Sequence, residues 1–242
     1  MSRTAVIVAS VLCVLALGCS TMPVHKPPQL NFVDVEGYQY PYRLIIPKEY
    51  NALDKTQAWP LAICLHGAGG DENSYLTHKS GRDSIAPYAE KRGYVIALPA
   101  GTRSQKELAT QVPLEVIKEV IKHGRIDTKR IYVTGFSKGG ALSYKLIQEN
   151  PDMFAAGYPV VCAPWDEVLP GLEKTPLKIL LGTKDKHFSI EKAREQVEKI
   201  RDAGGEVELF LPDGGHGGYR RNWAYDMIFD WFDSHVKPVE AP

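Results

Sequence analysis

Three polar residues, each set near glycines, stand out along the 242-residue chain. Ser137 lies in Gly135-Phe136-Ser137-Lys138-Gly139-Gly140, Asp185 closes Leu181-Gly182-Thr183-Lys184-Asp185, and His216 lies in Asp213-Gly214-Gly215-His216-Gly217-Gly218. A serine hydroxyl is a weak nucleophile until a base takes its proton. A neutral imidazole serves as that base when a carboxylate fixes its tautomer and favours its protonated form. A fourth segment, Leu65-His66-Gly67-Ala68-Gly69-Gly70-Asp71, is a loop free to aim backbone N–H groups. The N–H groups of Ala68 and Lys138 are the expected donors to an oxyanion, and one such donor is typically worth ~3 kcal/mol in a transition state. His66 reads as a structural hydrogen-bonding residue. These types together predict acyl transfer through Ser137, His216 and Asp185.

Such residues act only if the chain brings them together. Apolar, β-rich runs predict strands at 31–35, 38–46, 60–65, 94–98, 130–134, 156–162, 177–181 and 206–211. Several are apolar throughout, as strands covered on both faces are. Helical periodicity marks 114–122, 139–148, 190–201 and 223–235. Pro113 suits a first helical turn, and Gly124 a C-terminal stop after it. Alternating strands and helices predict an α/β fold, a mainly parallel eight-stranded sheet with helices on both faces. Residues 31–237 read as one domain. Ser137 then falls on a tight strand-to-helix turn, and all three polar residues follow strand ends at one sheet edge.

Other candidates compete. Asp166, after the sixth strand, is an alternative acid. Asp213 reads as a turn cap, and His78 and His187 as rim or surface residues. Tyr75, Arg103, Trp165 and Phe188 are expected to shape an open cleft, because residues 163–175 are too few for a cap domain. Trp223 and Trp231 are expected in the core. Cys64 and Cys162 fall on strands with another between them, roughly 9–10 Å apart, beyond disulfide reach, so both read as buried thiols.

Composition narrows the function classes. Apolar residues make up 44% and charged residues 24%, with 29 basic and 29 acidic side chains, which suits a globular domain and gives no basic footprint for nucleic acid. No metal-ligand cluster, P-loop or dinucleotide loop is present, so neither a metal nor another cofactor is expected. Residues 1–18 differ from the rest: Arg3, then an apolar run at 5–17, shorter than the ~20 residues that span a bilayer. They read as a signal peptide. Residues 19–30 are Pro-rich and read as an extended tether.

Two resemblances extend this reading. Leu15-Ala16-Leu17-Gly18-Cys19-Ser20 resembles a bacterial lipobox, which implies acylation of Cys19 and a lipid-anchored protein of the cell envelope. Ala16-Leu17-Gly18 also suits an ordinary export cut at the same bond, which would leave the protein periplasmic or secreted. The remainder resembles the α/β-hydrolase superfamily, near polyhydroxybutyrate-depolymerase-like and feruloyl-esterase-like proteins and peptidases similar to the prolyl oligopeptidase catalytic domain. The likeness rests on His66-Gly-Ala-Gly-Gly70, residues 127–140 around Gly135-Phe-Ser-Lys-Gly139, Gly182-Thr-Lys-Asp185, and Gly215-His216. It implies the α/β-hydrolase fold without a cap domain and a serine esterase acting on a small-molecule or polymer ester. A peptidase and a catalytically silent binding relative remain as alternatives.

Overall fold

The computed structural model describes residues 28–51, 56–76, 83–101, 108–162 and 170–238. The leader, most of the tether and Cys19 lie outside these residues, as do His78, Arg103, Trp165 and Asp166. Eight strands form one sheet: β1 (Gln29–Val35), β2 (Tyr38–Ile45), β3 (Trp59–Leu65), β4 (Val95–Pro99), β5 (Ile126–Phe136), β6 (Ala156–Val160), β7 (Leu177–Leu180) and β8 (Val207–Phe210). Their order is β1-β2-β4-β3-β5-β6-β7-β8. β2 runs antiparallel to both neighbours, and β4, β3, β5, β6, β7 and β8 pair parallel. The β1–β2 turn holds Glu36 at φ 54° and Gly37 at φ 81°. Two left-handed residues give a turn whose twist matches that of the flanking strands.

Side-chain alternation divides the core into two layers. Leu61, Ile63 and Leu65 of β3, Val95 and Ala97 of β4, and Ile131 and Val133 of β5 pack on one face. That face is covered by α2 (Gln111–His123), α3 (Lys138–Glu149) and α4 (Ile190–Asp202), through residues such as Val116, Leu146 and Val197. Ala62, Cys64, Ile96, Leu98 and Tyr132 point the other way, onto α1 (Pro87–Arg92) and α5 (Asn222–Asp233). Tyr132 stacks on Phe232 at 4.7 Å between ring centroids, and Tyr88 on Phe229 at 5.3 Å. Cys64 and Cys162 are buried free thiols in opposite layers, and burial pushes both pKa values up. Among the described residues no helix is long and apolar enough to cross a membrane.

Two expectations are corrected here, and one gains a reason. Gly124 does stop α2, in an extended conformation at φ −111°. A side chain there would press on the Val120 carbonyl, so space rather than backbone angle calls for glycine. Trp223 is 42% exposed, whereas Trp231 is 7% exposed. Eight residues at 3.6 per turn leave the two rings about 80° apart around α5, and Trp223 stands in the first turn. Cys162 lies just past the end of β6 rather than within it.

Candidate active site

Parallel pairing sets the strand ends level. Leu65 of β3 pairs with Gly135 of β5, Phe136 with Val160 of β6, Val160 with Leu180 of β7, and Leu180 with Phe210 of β8. The loops after these residues therefore leave the sheet side by side at its C-terminal edge. They carry His66 to Gly70, Ser137, Asp185 and His216.

Ser137 joins β5 to α3 at φ 55° and ψ −114°, a conformation costly for a residue with a side chain. The surroundings impose it. The Ser137 N–H donates to Val160 O at 2.9 Å, and Ser137 O accepts from Ala141 N at 3.0 Å. Gly135 and Gly139 lie so close that a Cβ on Gly135 would overlap the Gly139 carbonyl. One on Gly139 would overlap the Leu65 carbonyl. A Cβ on Gly140 would stand 2.7 Å from Cys162 Cβ. The flanking glycines thus let α3 pack against the strand ends while Ser137 is held up at the edge.

His216 Nε2 lies 2.8 Å from Ser137 Oγ, and His216 Nδ1 lies 2.8 Å from Asp185 Oδ2. The Asp185 side chain is wholly covered, with 0% exposure. Its Oδ1 accepts the His187 N–H at 2.8 Å and the Phe188 N–H at 3.2 Å. With Asp185 ionised, His216 donates from Nδ1 and presents a bare Nε2 to the Ser137 hydroxyl. The ring is packed by His187 at 4.5 Å, Phe136 at 5.6 Å and Phe188 at 5.8 Å between centroids.

The loops bearing Asp185 and His216 are tied to each other. Thr183 N donates to Pro212 O at 2.9 Å and Lys184 N to Gly214 O at 2.8 Å. Asp213 accepts from Thr183 Oγ1 at 3.1 Å and from Lys184 Nζ at 2.9 Å. Those bonds hold the exposed Asp213 carboxyl below its usual pKa, the Lys184 bond foremost. Asp213 is therefore a clamp between loops rather than a cap of its own turn.

The Gly67–Gly70 turn closes through Gly70 N to Gly67 O at 3.1 Å. It passes beside the serine: a Cβ on Gly67 would lie 3.6 Å from Ser137 Cβ. His66 Nδ1 meets Gly67 O at 2.8 Å. Burial is the main influence on this ring and lowers its pKa. The neutral ring donates from Nδ1 and fixes the loop. The turn separates two clefts. One, of about 720 Å³, is bordered by Ala68, Ser137, His216, Phe188 and Arg220. The other, of about 410 Å³, is bordered by Ala68, His66, Pro113, Lys138 and Leu142.

Of the expected cleft residues, Phe188 is at the wall, and His187 is at the wall as well as stacked on His216. Tyr75 is not: it is 4% exposed and its hydroxyl donates to Leu65 O at 3.1 Å, bracing the end of β3. Burial drives its pKa well up. Three wall residues escaped the sequence reading, Ser74, Phe136 and Arg220. Arg220 comes four positions after His216, and a cation close to a motif was the available signal. Among the described residues no cluster of His, Cys, Asp or Glu is placed to hold a metal ion.

Comparison with known proteins finds esterases and peptidases to which this chain is similar. A model of the prolyl oligopeptidase family matches residues 91–163, which include Ser137 but neither Asp185 nor His216. The chain is 30% identical over 106 residues to a bifunctional acetylxylan esterase/xylanase of Neocallimastix patriciarum, covering 41% of this chain and 15% of that protein. It is 26% identical over 259 residues to an acylamino-acid-releasing enzyme of Arabidopsis thaliana, covering 84% of this chain and 34% of the other. The chain thus spans well under half the length of either relative. A thermostable esterase of known structure superposes with a TM-score of 0.71 and 22% identity, over 87% of this chain and 63% of that one. Strand order, the positive-φ serine turn and this superposition together establish that the chain has the α/β-hydrolase fold.

Proposed function

We propose that this protein is a serine hydrolase that cleaves carboxylic esters through an acyl-enzyme. The observation that carries the reading is the unbroken chain Ser137 Oγ, His216, Asp185, with 2.8 Å at each link. Ser137 Oγ attacks the ester carbonyl carbon while its proton passes to His216 Nε2. The carbonyl electron pair moves onto oxygen, where the Ala68 and Lys138 N–H groups receive it. The tetrahedral intermediate collapses, the C–O bond to the alcohol breaks, and the leaving alkoxide takes the proton from Nε2. Water then repeats the sequence on the acyl-Ser137 ester and releases a carboxylic acid. Asp185 holds the tautomer and stabilises the imidazolium throughout.

The prolyl oligopeptidase family match favours a second reading, cleavage of an amide by the same residues. Its leaving amine must be protonated by His216 before it departs, a heavier demand on the same acid. A fluorophosphonate probe tests the nucleophile: it should label Ser137, and Ser137→Ala should not label while keeping its circular dichroism. Turnover of 4-nitrophenyl butyrate against an aminoacyl 4-nitroanilide ranks ester over amide. Export and lipid anchoring through Cys19 belong to this proposal. A tether would let the hydrolase reach substrates too bulky to enter the cell.

A further inference from the structure

The wall of the larger cleft carries a charge that ester cleavage alone does not require. Arg220 borders the same cleft of about 720 Å³ as Ser137 and His216. The residue is 8% exposed. Its guanidinium lies 5.7 Å from the centre of the Phe136 ring and 5.8 Å from that of Tyr75, and Nη1 donates to Ser74 O at 2.5 Å. Its own carbonyl accepts Asp83 N at 2.9 Å, which fixes the backbone beneath it. The side chain is therefore held in one place on the wall of the cleft that Ser137 also borders. Beside Arg220 the cleft is lined by glycine, alanine, serine, phenylalanine and histidine.

A cation kept in place among aromatic rings is less hydrated than one in open water. A planar guanidinium matches a carboxylate through two parallel N–H···O bonds. Such charge-assisted bonds are roughly twice as strong as neutral ones. Phe136 and Phe188, on the same wall, supply apolar surface that suits a short hydrocarbon spacer between the ester and the anionic group. We propose that Arg220 is a specificity residue that selects esters bearing a free carboxylate, a deepening that rests on the ester-hydrolase reading above.

Two matched substrate pairs test this. The first is the 4-nitrophenyl monoester of adipic acid against its ω-methyl ester, with the charge on the acyl side. The second is 4-acetoxybenzoate against methyl 4-acetoxybenzoate, with the charge on the leaving group. Binding is read by calorimetry in Ser137→Ala, independently of turnover, and kcat/KM is read in the wild type. In at least one pair the acid should be preferred over its methyl ester tenfold or more, in binding and in kcat/KM. Arg220→Met should bring that ratio to near one, and Arg220→Lys should restore part of it. Should Arg220→Met fail to fold, the wild-type ratios and the lysine variant still decide. A ratio near one in both pairs of the wild type, or a ratio unchanged in a folded Arg220 variant, overturns the proposal. Selective binding in Ser137→Ala with no turnover by the wild type would instead count against the hydrolase reading and leave the anion site standing.

Discussion

Replacing Asp185 by Asn removes a charge while nearly preserving shape, and the hydrogen bonds around the carboxylate set the cost. In the native site Oδ1 accepts two backbone N–H groups, from His187 at 2.8 Å and Phe188 at 3.2 Å, and Oδ2 faces His216 Nδ1 at 2.8 Å. An amide has one oxygen and one NH₂. If the oxygen stays with the two N–H groups, the NH₂ faces His216 Nδ1, which must then accept. The ring proton moves to Nε2, and Nε2 can no longer take the Ser137 proton. The flipped amide would restore the tautomer but leave the His187 and Phe188 N–H donors, which meet the covered side chain, facing an NH₂. Each unsatisfied donor costs about 1–3 kcal/mol, so the unproductive arrangement is favoured by about 2–6 kcal/mol. At about 1.4 kcal/mol per tenfold that is a loss of roughly 30-fold to 10⁴-fold. Loss of the charge that stabilises the imidazolium acts in the same direction, which sets the expected fall in kcat at ~10³–10⁴. The assay is initial rates on 4-nitrophenyl butyrate and the rate of fluorophosphonate labelling, with near-ultraviolet circular dichroism as the control for folding. A folded Asp185→Asn that keeps more than a tenth of wild-type kcat refutes the reasoning. If Asp166→Asn is then inactive, the acid comes from the loop after β6.

Two further outcomes are expected. Burial lowers the pKa of His66 relative to the unfolded chain, so the unfolded state binds the proton more readily below about pH 6.5. Stability from this residue is full above that pH and is lost as the pH falls toward the folded value. Urea midpoints at pH 7 and pH 5 should drop less in His66→Gln than in the wild type, and an equal or larger drop in the variant would count against it. Expressed in a bacterial host fed alkyne palmitate, the protein should take up label and sediment with membranes, and Cys19→Ala should lose both. Unlabelled wild type in the soluble periplasmic fraction would show that ordinary cleavage prevails.

Much of the fold was legible because the central strands are covered on both faces. Residues 60–65, 94–98 and 177–181 are apolar runs too short for helices, and the structure turns them into β3, β4 and β7 with shifts of a residue or so at the ends. The sequence also places Ser137, Asp185 and His216 after strands, and parallel pairing brings those ends to one edge. β5 runs longer than its apolar segment because its first residues, from Ile126, are only partly covered. The six-residue α1 passed unseen, because Pro87–Arg92 is too short to show a helical period.

Loop side chains were the harder part, since a loop has no period to tell inside from outside. Tyr75 and Arg220 show the difficulty. From sequence, a tyrosine after a Gly-rich turn reads as a cleft wall, and Arg220 is not singled out. In the fold they are neighbours, the guanidinium 5.8 Å from the tyrosine ring. Tyr75 turns inward because the Leu65 carbonyl, at the end of β3, offers its hydroxyl a partner at 3.1 Å. Arg220 is drawn over that ring and over Phe136, since a guanidinium stacks on aromatic faces where an ammonium would hold its water. Ser74 O then receives Nη1. One carbonyl at a strand end therefore decides both placements: it buries Tyr75, the ring then seats Arg220, and the charge stands at the wall of the cleft that holds Ser137.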